Sequence, residues 1–227
     1  MHDDRKLTED RLARVLRERI RPAVYSRTAP LTVEAWHAPG EPVAPAQGVA
    51  AQYGPAAVGE AWGRPWGTSW FRFAGRVPAE WAGERVEAVV DLGFDDRPGF
   101  SAEGLMYLPD GTAVKGLHPY NKWLPIETPA AGGEDVLFYV EAASNPEIHP
   151  PVTYLGDPET AGDEPLYRLV KAELAVFDAT VWELVQDLDV LGELMHELPL
   201  DQPRRWEILR AISRCLDAID LYDVSGA

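Results

Sequence analysis

The spacing of apolar residues changes twice along this chain. From Leu7 to Arg21 the period is helical, with Leu12, Val15, Leu16 and Ile20 on one face. Thr8 ahead of Glu9 and Asp10 predicts an N-cap there, Leu7 and Leu12 stand at staple positions, and Pro22 predicts the helix end. Residues 28–60 are rich in Ala, Pro and Gly and read as irregular connection with one short strand at Leu31–Trp36.

From residue 61 to 177 the period is that of strands. Thr68–Val77 is dense in aromatic and β-branched residues. Across Glu84–Leu92, Val86, Ala88, Val90 and Leu92 face one way, and Arg85, Glu87 and Asp91 the other. Gly104–Leu108 and Thr112–Leu117 flank Pro109-Asp110-Gly111, a turn with φ preset at Pro and free at Gly. Val136–Ala142 and Leu166–Phe177 complete the set, the latter with Val170, Ala172, Leu174 and Val176 in phase. Glu141 and Glu173, within these strands, are expected to face solvent.

After Phe177 the helical period returns. Asp178 is placed to cap, and Phe177 and Trp182 to staple. Val181, Leu184, Val185, Leu188, Leu191, Met195 and Leu198 form a stripe that Pro199 breaks. A second helix starts near Pro203, with Ile208, Ile212, Cys215, Ile219 and Tyr222 on one face. Its stripe and that of the first helix are together broader than one partner helix covers, so one side of the pair is expected to lack a partner. Short strands separated by Gly/Pro turns predict a mainly β fold with flanking helices: an antiparallel β-sandwich or jelly roll, an N-terminal helix and a C-terminal helical hairpin. The expected division is residues 1–60, helix and connection; 61–177, jelly roll; and 178–227, hairpin.

Composition narrows the partners. A hydrophobic share of 46% with 26% charged residues describes a folded chain with a core. The net charge of −16 repels phosphate backbones, so no nucleic-acid partner is expected. Residues 1–22 alternate charge without an apolar stretch, and no apolar run nears the ~20 residues of a membrane span, so neither a leader nor a membrane partner is expected. Cys215 is the single cysteine; an intrachain disulfide is excluded and a reducing, cytoplasmic setting is expected. On the hairpin's apolar face it reads as a structural thiol.

Few residues suggest chemistry. Asp95-Asp96 are neighbours that a strand points apart, a poor acid/base pair. Glu147 and His149 offer two metal-ligand types but lack further ligands nearby. Trp123, in a stretch with His118 and Asn121, is a candidate for stacking on sugar.

Three stretches resemble the N-terminal region of cytosolic-type α-mannosidases of glycoside hydrolase family 38. They are Trp62-Gly63-Arg64-Pro65-Trp66-Gly67-Thr68-Ser69-Trp70-Phe71-Arg72 with Val77-Pro78-Ala79-Glu80-Trp81; Glu103-Gly104-Leu105-Met106-Tyr107 through Val114-Lys115-Gly116-Leu117; and Tyr139-Val140-Glu141-Ala142-Ala143-Ser144-Asn145 followed by Lys171-Ala172-Glu173-Leu174-Ala175-Val176-Phe177. The resemblance implies retaining hydrolysis of α-linked mannose by an aspartate nucleophile and a second carboxylic acid about 5 Å apart. It also implies a divalent metal, usually zinc, held in a catalytic domain that opens with Gly-His-x-His-Ile-Asp. No such motif occurs among the five histidines His2, His37, His118, His149 and His196, so no catalytic or metal-binding residue carries over to this chain. Asn145 matches an asparagine of the family pattern. Trp123, Asn145 and His149 are the candidate cleft-rim or sugar-contacting residues. The implied partners are the protein's own catalytic domain, a glycan and a second copy in a homo-oligomer. An autonomous carbohydrate-binding jelly-roll module is the alternative.

Overall fold

The computed structural model describes residues 5–94, 101–126, 128–146, 157–220, 222 and 224. The chain forms two compact units, Thr28–Ala175 and a second made of Met1–Arg27 with Val176–Ala227. Residues 1–27 of the first expected segment thus share a unit with the last segment, and residues 28–60 belong with the strands.

The helical unit opens with α1 (Arg5–Val15), which already runs through Thr8; Thr8 is therefore no cap, and Leu7 is 70% exposed rather than stapled. The helix does not end at Pro22 either. It widens into a π-turn, Leu16–Ile20, in which the Arg21 N–H donates to the Leu16 carbonyl, then closes as α2 (Arg21–Ala23). Pro22 has no N–H to give, and its ring crowds the carbonyl one turn back; widening the helix relieves both. Leu12, Val15, Leu16 and Ile20 are buried as expected.

Their partners are α4 (Ala179–Glu197) and α5 (Pro203–Ala218), which follow the sandwich in sequence. Val185, Leu188, Met195, Ile208, Ile212 and Leu216 join the α1 stripe in one cluster, with Cys215 half-buried against it. The Asp178 carboxylate accepts the Val181 N–H at 2.9 Å, and the Phe177 and Trp182 rings lie 6.3 Å apart, so cap and staple both form. Arg205, 8% exposed, donates to the carbonyls of His196 and Leu198 at the end of α4 and pairs with Glu9 at 3.3 Å. A buried arginine there satisfies carbonyls that the helix end leaves orphaned. The side of the hairpin expected to lack a partner is covered largely by α1. Trp182, Val190 and Leu194 on α4 remain 45%, 63% and 44% exposed.

The other unit is a β-sandwich. A six-stranded sheet runs β3 (Gly54–Ala56), β2 (Thr32–His37), β5 (Thr68–Arg76), β10 (Asp135–Ser144), β7 (Ala102–Tyr107), β8 (Ala113–Leu117). A four-stranded sheet runs β1 (Arg27–Pro30), β12 (Lys171–Val176), β6 (Val86–Asp91), β9 (Trp123–Pro125), and β4 (Ala61–Trp62) pairs with β11 (Tyr167–Arg168). All pairings with a described register are antiparallel. Trp70 and Phe71 lie in a central strand, as predicted, with β2 and β10 on either side. The expected single strand Leu166–Phe177 is two. Val170 donates to the Asp91 carbonyl and Leu169 to that of Glu60, and between these bonds the chain passes from β11 to β12. Val170 is consequently 54% exposed, out of phase with the buried Ala172, Leu174 and Val176.

The central strand β5 is buried on both faces. Phe71, Phe73 and Phe138 stack in the sandwich interior, with Phe73 and Phe138 centroids 5.1 Å apart. On the opposite face Trp70 stacks on Tyr107 at 5.2 Å, beside Tyr139. Residues 38–53, expected to be irregular, cover this second cluster with α3 (Pro45–Val49), Val43 and Tyr53. Gly48 makes the cover fit: a Cβ there would lie 2.2 Å from the Trp70 ring. Gly48→Ala is expected to lower unfolding stability by about 1–3 kcal/mol, the usual cost of overpacking, read as a lower urea midpoint. Asp178→Ala is expected to cost about 1 kcal/mol through loss of the helix cap.

Candidate functional site

Of the three candidate residues, Trp123 and Asn145 fall in different settings, and His149 lies outside the described residues together with Asp95, Asp96 and Glu147. Trp123 opens β9, after a tight turn in which His118 and Asn121 bond each other's backbone and the Asn121 amide donates to the Gly116 carbonyl at 2.7 Å. Its indole is only partly exposed and is taken by cations of its own chain. The Lys115 ammonium lies 2.9 Å from the ring centroid and the Arg85 guanidinium 5.9 Å from it. A sugar would have to displace them.

Beneath these cations sits Glu87, fully buried and bonded by Arg85 at 2.6 and 3.0 Å. The alternation of β6 placed Glu87 opposite Ala88, and that holds, but both faces of the strand are covered. Glu87 survives burial because Arg85 holds it as a charge-assisted pair. The Lys115 nitrogen is buried without a hydrogen-bond partner, and that burial pulls its pKa down to about 8, with Glu87 opposing the fall and Arg85 adding to it. Lys115, Arg85 and Glu87 were invisible as a group in the sequence, since each reads as an ordinary charged residue beside a strand.

Asn145 contributes its backbone rather than its side chain: its carbonyl accepts the Tyr167 hydroxyl. Tyr167 lies against Trp62, and the neighbouring Ser144 hydroxyl donates to the carbonyls of Arg64 and Gly67. Ser144 thus braces the loop that joins β4 to β5, and Asn145 holds Tyr167 of β11. Glu141 does not stand free in solvent but accepts the Tyr107 hydroxyl at 2.9 Å, and half-buried Glu173 pairs with Lys171 at 3.1 Å. Burial and then Glu141 push the Tyr107 pKa up to about 12.

Among the described residues no group of three or more His, Cys, Asp or Glu side chains is placed to hold a metal, and no helix is long and apolar enough to cross a membrane. The Lys115 cluster is an electrostatic brace with a pH signature. Its folded-state pKa is depressed, so the folded chain releases this proton before the unfolded chain does. Its contribution to stability therefore rises as pH climbs from about 8 towards the ordinary lysine value of about 10.4. Urea midpoints are expected to show that rise, and Lys115→Met to remove it. A slope unchanged in Lys115→Met would assign it to another group.

Residues 29–175 match a family model described as the jelly roll domain of alpha-mannosidase. The chain is 30% identical over 179 residues to Alpha-mannosidase 2C1 of Homo sapiens, covering 77% of this chain and 16% of that protein. Its counterpart from Mus musculus is 28% identical over 173 residues, with 74% and 16% covered. The chain therefore spans about a sixth of the length of these relatives. Among solved structures, the beta-glucuronidase of Faecalibacterium prausnitzii superposes with a TM-score of 0.41 at 14% identity, over 67% of this chain and 32% of that one.

Proposed function

This chain belongs to the alpha-mannosidase jelly-roll domain family, and from that premise we propose that it is the N-terminal accessory region of a retaining, metal-dependent α-mannosidase that releases α-linked mannose from glycans. In this reading the chain supports a catalytic domain and is inactive alone. Zinc or another divalent metal, the nucleophile and the acid belong to that catalytic domain, because the Gly-His-x-His-Ile-Asp motif is absent from this sequence. The lone Cys215 favours a reducing, cytoplasmic setting.

The observation that carries the supporting role is the apolar surface of the hairpin. Trp182, Val190 and Leu194 on α4 and Leu200 after it are each 44–63% exposed. Exposed apolar side chains gathered on one helix mark a face suited to covering by protein. Each Å² covered there is worth about 25 cal/mol, so such a face favours attachment to a larger body or to a second copy.

The isolated chain is expected to give no hydrolysis of an aryl α-mannoside above the uncatalysed rate, with or without added zinc. Turnover that is lost on mutating a residue of this chain would overturn the accessory reading. Val190→Glu with Leu194→Glu is expected to leave folding intact and to lower the activity of an α-mannosidase carrying this region. Full activity in that double variant would remove the hairpin face from the supporting role.

A further inference from the structure

We propose that the cleft at the end of the β2–β5 ladder is a binding site for a neutral pyranose sugar, held by His37 and Arg64. The choice of a pyranose among neutral polyols rests on the α-mannosidase reading above. The cleft and its hydrogen-bonding groups do not.

His37 and Ser69 are the last paired residues of the ladder, and beyond them the Ala38 N–H still donates to the Thr68 carbonyl at 2.9 Å. There β2 departs and the loop from β4 arrives, leaving a space of about 200 Å³ lined by His37, Trp62, Arg64, Thr68, Ser69 and Pro165. A second space of about 190 Å³ shares His37 and Trp62 and reaches Glu60 and Phe71. Together they fall in the lower part of the roughly 300–1,000 Å³ usual for small-molecule sites. Trp62 and Pro165 supply an apolar wall.

His37 is held in place before any ligand arrives. His37 is exposed, but its Nδ1 lies 2.8 Å from the hydroxyl of Ser69, itself 2% exposed. That bond fixes the imidazole and leaves Nε2 for a ligand hydroxyl, to which a ring nitrogen donates or from which it accepts according to tautomer. Arg64 lies 3.5 Å from Asp163, and both side chains are at least half exposed. A guanidinium beside a carboxylate suits two neighbouring hydroxyls, since a hydroxyl accepts from the one and donates to the other.

The backbone of the loop carrying Arg64 is tied to Ser144. Trp66 sits at φ 61°, a backbone region that a bulky side chain rarely adopts. It is kept there by Ser144, whose carbonyl accepts the Trp66 N–H at 3.0 Å while its own N–H and hydroxyl both donate to the Gly67 carbonyl. Gly63 is pressed against the same residue: a Cβ there would meet that of Ser144 at 2.5 Å. A wall fixed in advance spares a ligand the cost of ordering it. The cleft has no lysine, its one guanidinium already faces Asp163, and the chain carries a net charge of −16. Those charges favour a neutral ligand over an anion.

Titration of the ¹⁵N-labelled 227-residue chain with methyl α-D-mannopyranoside tests this. Saturable shifts are expected at the amides of His37, Arg64, Thr68 and Ser69, with a Kd in the millimolar range, about −4 kcal/mol. His37→Ala and Arg64→Ala alter exposed side chains and are expected to keep the spectrum elsewhere while weakening binding about tenfold each. Absence of saturable shifts, shifts confined to other parts of the chain, or unchanged affinity in both variants would overturn the site. Tighter binding of methyl α-D-glucuronide than of the mannoside would overturn the neutral class. A chain that binds no sugar and hydrolyses none loses this site alone, whereas mannoside turnover by the chain sinks the accessory reading whatever the titration shows.

Discussion

A strand with large apolar side chains on both faces cannot leave either face in water, and β5 is such a strand. Phe71 and Phe73 point into the sandwich interior, and Trp70 points the other way and is just as fully buried. One sheet needs one cover; a sheet built around β5 needs two. The four-stranded sheet, with Ala88, Val90, Leu92 and Leu174 buried, accompanies the first face. The second is covered by residues 38–53, whose short helix approaches the indole closely because Gly48 has no side chain. The loops at the end of β5, and the cleft they frame, are placed by the same double burial.

The helical unit solves a related problem with the two ends of the chain. The hairpin of α4 and α5 has too broad an apolar stripe for two helices, and α1 supplies the third. The Pro22 π-turn lets the apolar stripe continue to Ile20 without breaking the helix. Arg205 then closes the hairpin turn by satisfying carbonyls and pairing with Glu9, so its charge is buried with partners rather than alone. The apolar side chains left on α4 after this closure give the accessory reading its physical content.

Polar groups in the sandwich serve mainly as braces. Glu87, Arg85 and Lys115 surround Trp123, and Ser144 and Tyr167 tie the loop before β5 to the strand end. The first group occupies the indole that looked available for sugar. The second frames a cleft lined by His37 and Arg64.

What the sequence alone determined was everything carried by local period and local chemistry. The strands at Thr68–Val77 and Val136–Ala142, the Asp178 cap with its Phe177–Trp182 staple and the hairpin break at Pro199 depend on neighbours within a few residues, and all appear as expected. So does the jelly-roll class, which needs only strand count and turn spacing. Tertiary structure decided what depends on residues far apart in the chain. Thr8 lost its cap role because the helix starts before it, and Leu166–Phe177 divided because bonds to Glu60 and Asp91 pull its two halves into different sheets. Trp123 became a cation's seat because Lys115 and Arg85, separated from it in sequence, converge on its ring. That His37 and Arg64 line one cleft carried no signal in the sequence: a side chain's partners across a sheet are set by strand order and register, which a periodicity of two leaves open.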